Sequence, residues 1–134
     1  MLIRFTRSVL LLALVAGIAA CAAAAVGAGA GAATGIYLTT RGASTLVQGS
    51  VPQVTRRTER VFADLGIRIT EREIEEDDSE VELEGETDDL DVTAKIKRES
   101  PTTSRVDVEA RRSLVEWDQD YARHVLERIV AAGR

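Results

Sequence analysis

The sequence predicts an α+β domain over residues 36–134, a two-layer sandwich in which a four-stranded antiparallel meander carries two helices on one face. Three observations lead there. Runs between Ile67 and Ala110 alternate apolar and polar residues with a period of two, so each presents one apolar and one wet face. One stretch ahead of these runs and one behind them repeat their apolar residues at helical spacing. The order is helix, strands, helix rather than strict strand–helix alternation, which favours segregated layers over a parallel α/β sheet.

The chain opens ahead of that domain with Arg4 and Arg7, an apolar run from Val9 to Ala16, and small residues up to Ala20. A basic start, a short apolar core and small residues before a cut site form the layout of an export signal. Ser8 to Ala20, taken as a helix, spans only about 20 Å, against about 30 Å of bilayer core. Ile18-Ala19-Ala20-Cys21 resembles the lipobox of bacterial lipoproteins, with Ile in place of the commoner Leu. The resemblance implies that the Cys21 thiol receives a diacylglycerol and that a peptidase cuts between Ala20 and Cys21. The new amine is then acylated with a chain such as palmitate. Residues 1–20 are on this reading a signal peptide, and 21–35 the lipidated Cys21 with an Ala/Gly tether. Each buried acyl CH₂ contributes about 0.8 kcal/mol, so several chains hold a protein stably. An uncleaved membrane helix is the alternative, because no charge falls between Arg7 and Arg41. Against it, Gly27, Gly29, Gly31 and Gly35 would each cost a helix about 1 kcal/mol relative to Ala. The same glycines would otherwise pack helices closely in a membrane.

The elements of the domain follow in order. Gly35 to Thr40 shifts toward β-branched and aromatic residues, a first strand or an ordered lead-in, and Leu46 and Val47 are further candidate strand residues. Ser50-Val51-Pro52 opens a helix, with Ser50 as N-cap and Pro52 in the first turn. Val54, Thr58, Val61, Phe62 and Leu65 share one of its faces, and Gly66 ends it. Arg56, Arg57, Glu59 and Arg60 lie opposite, either as a solvated face or as a contact for anionic lipid or a partner. Four strands follow: Ile67 to Thr70, Glu80 to Glu86, Leu90 to Lys97 and Ser104 to Ala110. Asp77-Asp78-Ser79, Asp88-Asp89 and Ser100-Pro101-Thr102 supply the turns. The last helix buries Tyr121, Ala122, Val125, Leu126, Ile129 and Val130. Its start is open between an Asp118 cap and a Ser113/Glu116 capping box.

Composition narrows the chemistry. The whole chain carries a net charge of −5. Removing residues 1–20 takes away two basic and no acidic residues, leaving 15 basic against 22 acidic, net −7. Nucleic acid is a poor partner for such a charge, since phosphate binding needs a basic footprint. One cysteine allows no intramolecular disulfide, and one histidine without a thiol pair argues against zinc. Nothing in the sequence calls for a cofactor.

The acidic stretch 71–91 holds 13 carboxylates and one basic residue, Arg72. Hard cations such as calcium take oxygen ligands from several carboxylates, yet no EF-hand spacing is present. Glu80, Glu82, Glu84 and Glu86 fall on the wet side of one strand, where Lys95, Lys97, Arg98 and Arg105 of neighbouring strands could pair with them. Such charges also protect a sheet against edge-to-edge association. His124 lies mid-helix beside Arg123, off the apolar stripe and far from any serine or cysteine motif. Trp117 and Tyr121 fit packing at the helix start better than a ligand stack. No catalytic constellation emerges, and the sequence predicts no enzyme and no metal site.

The Gly/Ala-rich start, the Tyr-containing strand at Gly35 to Leu38, the helix ending at Leu65-Gly66 and the stretch from Val106 to Ile129 together resemble a family of small uncharacterised bacterial lipoproteins. The resemblance implies a Gram-negative cell envelope. Ala22 after Cys21, rather than Asp, implies the outer membrane, with the domain facing the periplasm. The expected role is a membrane-anchored, non-catalytic interaction or structural module with an envelope protein partner. The alternative is a weak ligand or divalent-cation binder using residues 71–91.

Overall fold

A computed structural model describes residues 35–134. Strands β1 (Tyr37–Leu38) and β2 (Gly42–Gln48) precede helix α1 (Val51–Asp64). Strands β3 (Arg68–Ile74), β4 (Glu80–Glu86), β5 (Asp91–Ser100) and β6 (Thr103–Arg111) follow, and helix α2 (Gln119–Ala131) closes the chain. The class is α+β, but the sheet has six strands in the order β1-β2-β6-β5-β4-β3, not the four expected from the sequence. Every neighbouring pair is antiparallel.

The two extra strands, expected only as a first strand or lead-in at Gly35 to Thr40 and as candidate strand residues at Leu46 and Val47, have a physical reason for being left out of the expected sheet. β2 has the sequence Gly-Ala-Ser-Thr-Leu-Val-Gln, small and polar, so its period-two signal is faint. Ala43, Thr45 and Val47 nevertheless face the core opposite Val108, Val106 and Ser104. β1 spans two residues and pairs Tyr37 with Ser44 and Leu38 with Ala43. Its turn is closed by Thr39, whose Oγ1 accepts from the Gly42 N–H at 3.0 Å. β3 is also longer than expected. It runs into the acidic stretch as far as Ile74, with a bulge between Ile69 and Glu71, and every residue of it is exposed. An exposed, bulged and charged edge is how a sheet discourages pairing with another chain.

The alternation of β4, β5 and β6 builds the core. Val81, Ile96 and Val106 form one row across the sheet, Leu83, Ala94 and Val108 the next, and Gly85, Val92 and Ala110 a third. All of the apolar side chains among them are buried. α1 leaves β2 and crosses this face to deliver the chain to β3 at the far edge, packing over β5, β4 and β3. α2 lies over β2 and β6 and touches α1. Both helices thus cover one face and leave the other to water.

Phe62 of α1, fully buried, settles over Gly85, where an added Cβ would stand 3.4 Å from the Phe62 ring and 2.6 Å from Ile67. Gly85 is therefore the hollow that receives the largest core side chain. The buried threonines of α1 cost little, because Thr55 and Thr58 donate to the carbonyls of Val51 and Val54 at 2.7 and 2.9 Å.

Helix ends follow the sequence signals. Ser50 precedes α1 in an extended conformation, and the Gln53 side chain accepts from its N–H at 3.0 Å. Leu65 caps the other end, followed by Gly66 at φ +72. Of the two candidate starts for the last helix, Asp118 is the one used: its Oδ1 accepts from the Tyr121 N–H at 2.9 Å. Ser113 and Glu116 belong to a loop between β6 and α2, closed by the Arg112 N–H donating to the Glu116 carbonyl at 2.9 Å.

Candidate functional site

The outer face of the sheet is where polar chemistry accumulates. Antiparallel register sets residues directly opposite one another on the same face. Glu82 thus stands against Lys95, Glu80 against Lys97, and Asp91 against Arg111. The side chains meet at 3.3, 3.4 and 3.2 Å respectively. Arg68 pairs with Glu86 at the β3–β4 end of the same face. A hydrogen bond from Lys95 to Glu82, followed by the attraction of that carboxylate, holds the Lys95 ammonium above its ordinary pKa.

Lys95 and Lys97 therefore meet the glutamates of β4, whereas Arg98 and Arg105 do not. Arg98 follows Ile96 by two residues and so leaves the face of Lys95 and Lys97, and Arg105 stands on β6, with β5 between it and β4. Arg98 donates instead to the carbonyls of Asp77 and Asp78, both at 3.3 Å, and Arg105 pairs with Glu99 at 3.3 Å. Asp77 caps the same turn by accepting from the Ser79 N–H at 3.1 Å, and the Ser79 hydroxyl first and then that N–H hold its carboxyl below the usual range. The acidic stretch is thus partly neutralised by its neighbours. Among the described residues, no group of three or more His, Cys, Asp or Glu side chains is placed to hold a metal ion.

Trp117 completes the face. It forms a bridge with Arg111, stands half-buried, and carries the Arg41 guanidinium 5.2 Å above its ring. With Thr93, Lys95, Glu109 and Arg111 it lines a shallow depression on the sheet's open side. Trp117 therefore belongs to the surface, and Tyr121 alone of the pair packs against the core. Burial, and then the nearby Asp118, push the Tyr121 hydroxyl up from its ordinary pKa. His124 is exposed on α2, its ring 6.5 Å from that of Tyr121. Arg112 pairs with Asp118 at 2.7 Å, so the cap of α2 is tied to the preceding loop. Leu114 and Val115 project from the tip of that loop, 87% and 89% exposed.

Two contacts here had no sequence signal. Arg41 and Trp117 are far apart in the chain and meet only because β2 pairs with β6. The Gln119 side chain likewise bonds the Thr39 carbonyl, stitching α2 to the β1–β2 turn. Ala20 and Cys21, the expected cleavage and lipidation residues, lie outside the described residues, as does the expected tether up to Thr34. No helix among the described residues is long and apolar enough to cross a membrane.

The class of protein is therefore a small α+β domain whose six-stranded antiparallel sheet is helix-covered on one face and charged and open on the other. The chain belongs to a family described as a protein of unknown function (DUF3568), whose model matches residues 6–131. The match covers the folded domain and reaches back through Cys21. No curated protein matches the chain.

Proposed function

We propose that this protein is a lipid-anchored domain of the bacterial cell envelope that acts by contact with a protein partner and not by catalysis. The anchor in this reading is Cys21, in Ile18-Ala19-Ala20-Cys21, with cleavage after Ala20. Membrane attachment runs through its acyl chains, and the domain faces the periplasm from the outer membrane.

The observation that carries the contact reading is the open sheet face with Trp117 and Arg41 at one end of it. Tryptophan and arginine are the residues that most often dominate binding energy at interfaces. Here they are stacked on one another, beside a grid of charges already paired within the sheet. Charges arranged that way select a partner by complementarity at the rim while the aromatic supplies buried area. Trp117 is held by its bridge to Arg111, and Arg41 stands in the turn immediately before β2, which limits the ordering a partner must impose.

The test is a photo-crosslinking residue at Thr93, in the middle of the open face, in intact cells. A discrete protein adduct is expected from Thr93 and none from Arg128, an exposed position on α2. The absence of a Thr93 adduct, or the same adducts from both positions, contradicts the reading.

A further inference from the structure

Most cations of this domain are paired. Arg68, Arg72, Lys95, Lys97, Arg105, Arg111, Arg112 and Arg123 each have a carboxylate partner. Arg56, Arg57, Arg60 and Arg134 do not lie within ion-pair distance of any carboxylate among the described residues, and all four line one open depression. It sits where the start of α1, the end of α2 and the β5–β6 turn converge, with Gln53 and Thr102 among its neutral walls. No acidic side chain lines it. Of the cations without such a partner, Arg41 lies over Trp117, Arg98 on the Asp77–Asp78 turn and Arg128 on α2, while these four gather in one place on a chain whose net charge is −5.

Local structure explains the gathering. Arg56 and Arg60 are four apart and Arg57 and Arg60 three apart, so all three rise from one flank of α1. Arg57 is half-buried and fixed in place: its Nη1 donates to the Gln48 carbonyl at 3.2 Å. Gly133 lies against the same guanidinium, where an added Cβ would stand only 2.3 Å from Nη1. Burial, and then the charge on Arg60, lower the Arg57 pKa from its ordinary value. The nearest acid on the helix, Glu59, is drawn away by Arg72 of β3. Like charges are therefore held together, one of them partly desolvated, with no acidic side chain in the depression and no carboxylate within ion-pair distance among the described residues. An anion from outside relieves that repulsion and meets guanidinium forks already in position.

We propose that the depression formed by Arg56, Arg57, Arg60 and Arg134 is a binding site for a phosphate-bearing anion. Arg57, pinned against Gly133, supplies the oriented fork, and Arg56, Arg60 and Arg134 close around the remaining phosphate oxygens. A guanidinium fork matches carboxylate or phosphate oxygens bidentately, and four forks around one depression suit the several oxygens of a phosphate better than a halide or the two oxygens of one carboxylate. The site is at the opposite end of β6 from Trp117, so it is separate from the partner face, and it does not depend on the lipid anchor.

Two sources present this chemistry, a lipid headgroup phosphate and a soluble phosphate, and the experiment separates them. The full chain in uncharged detergent micelles is titrated calorimetrically with inorganic pyrophosphate at fixed ionic strength. A second titration uses short-chain phosphatidylglycerol against short-chain phosphatidylcholine. Saturable binding of one anion per chain is expected, weakened about tenfold or more in R56Q/R60Q and unchanged in R123Q/R128Q, which removes equal charge from exposed positions of α2. Both substitutions of the first pair are at exposed positions, so the fold is expected to survive them. Tighter binding of phosphatidylglycerol than of pyrophosphate assigns the site to a membrane headgroup, and the reverse assigns it to a soluble phosphate. Binding that is absent for both probes, or that falls equally in the two double variants, overturns the proposal. An unlipidated chain that still binds phosphate would contradict the anchor alone and leave this site standing.

Discussion

Replacing Gly42 by Ala is the sharpest test of how β2 joins the sheet. A Cβ at Gly42 would lie 1.9 Å from the Val108 carbonyl oxygen and 2.9 Å from the Glu109 Cα. Both obstacles are backbone, so no side-chain rotation relieves them. β2 would have to move away from β6, disturbing the pairs Gly42–Glu109 and Ala43–Val108 and the buried Ala43. Overpacking a tight site costs about 1–3 kcal/mol, and a backbone clash belongs at the upper end, about 3 kcal/mol. For a domain of this size that lowers the melting midpoint by about 12 °C or more. The control is Gly35→Ala, because nothing lies within 4 Å of a Cβ there; it should change stability by less than about 0.5 kcal/mol. Thermal and urea unfolding of the full chain in neutral detergent, followed by circular dichroism, measures both. If Gly42→Ala unfolds within about 0.5 kcal/mol of Gly35→Ala, β2 does not approach β6 as described and the six-stranded sheet is wrong.

Other substitutions probe the remaining parts. Phe62→Ala empties the hollow over Gly85 and should cost about 3–5 kcal/mol, read as a shift in urea midpoint. Asp118→Ala removes the cap accepting from the Tyr121 N–H and the partner of Arg112, for a loss of about 1 kcal/mol by the same assay. The Asp118 carboxyl is held below its usual range, first by the Tyr121 N–H and then by Arg112. Its stabilisation is therefore complete above the unfolded value of about 3.9 and lost as pH falls through the depressed folded one. Asp118→Asn should flatten that part of an acid-unfolding profile, and an unchanged profile would show that the carboxylate contributes nothing. Lys95→Gln breaks an exposed pair and should cost less than about 1 kcal/mol, with a smaller effect at high salt. Calcium titrated into the chain should give no saturable heat, because Glu80, Glu82 and Glu86 already face Lys97, Lys95 and Arg68.

The parts of the fold legible in the sequence are those where burial was large and periodic. Val81 to Gly85, Val92 to Ile96 and Val106 to Ala110 alternate strongly because one face of each strand meets Phe62, Leu126 and Ile129. The helices announced themselves through apolar stripes and caps. β2 did not, since its buried residues Ala43 and Thr45 are small and its place beside β6 is set by a partner distant in sequence. β3 concealed its second half among acids because an edge strand buries nothing that would enforce alternation. On the open face, the pairing of Lys95 and Lys97 with the β4 glutamates followed from alternation alone. The partners that Arg98 and Arg105 take instead did not, and neither did the Arg41–Trp117 stack, because they depend on turn geometry and strand order. The four-arginine depression was half visible: Arg56, Arg57 and Arg60 share a helix flank, while Gly133 and Arg134 arrive from the other end of the domain.

The lipid anchor is the central claim about how the protein works, and the intact mass of protein extracted from membranes tests it most directly, measured beside a Cys21→Ser variant. The lipidated protein should give a mature species beginning at Cys21 with added acyl mass, and the variant no such species. A mass equal to the whole chain without lipid would contradict it and make the apolar N-terminal segment an uncleaved anchor.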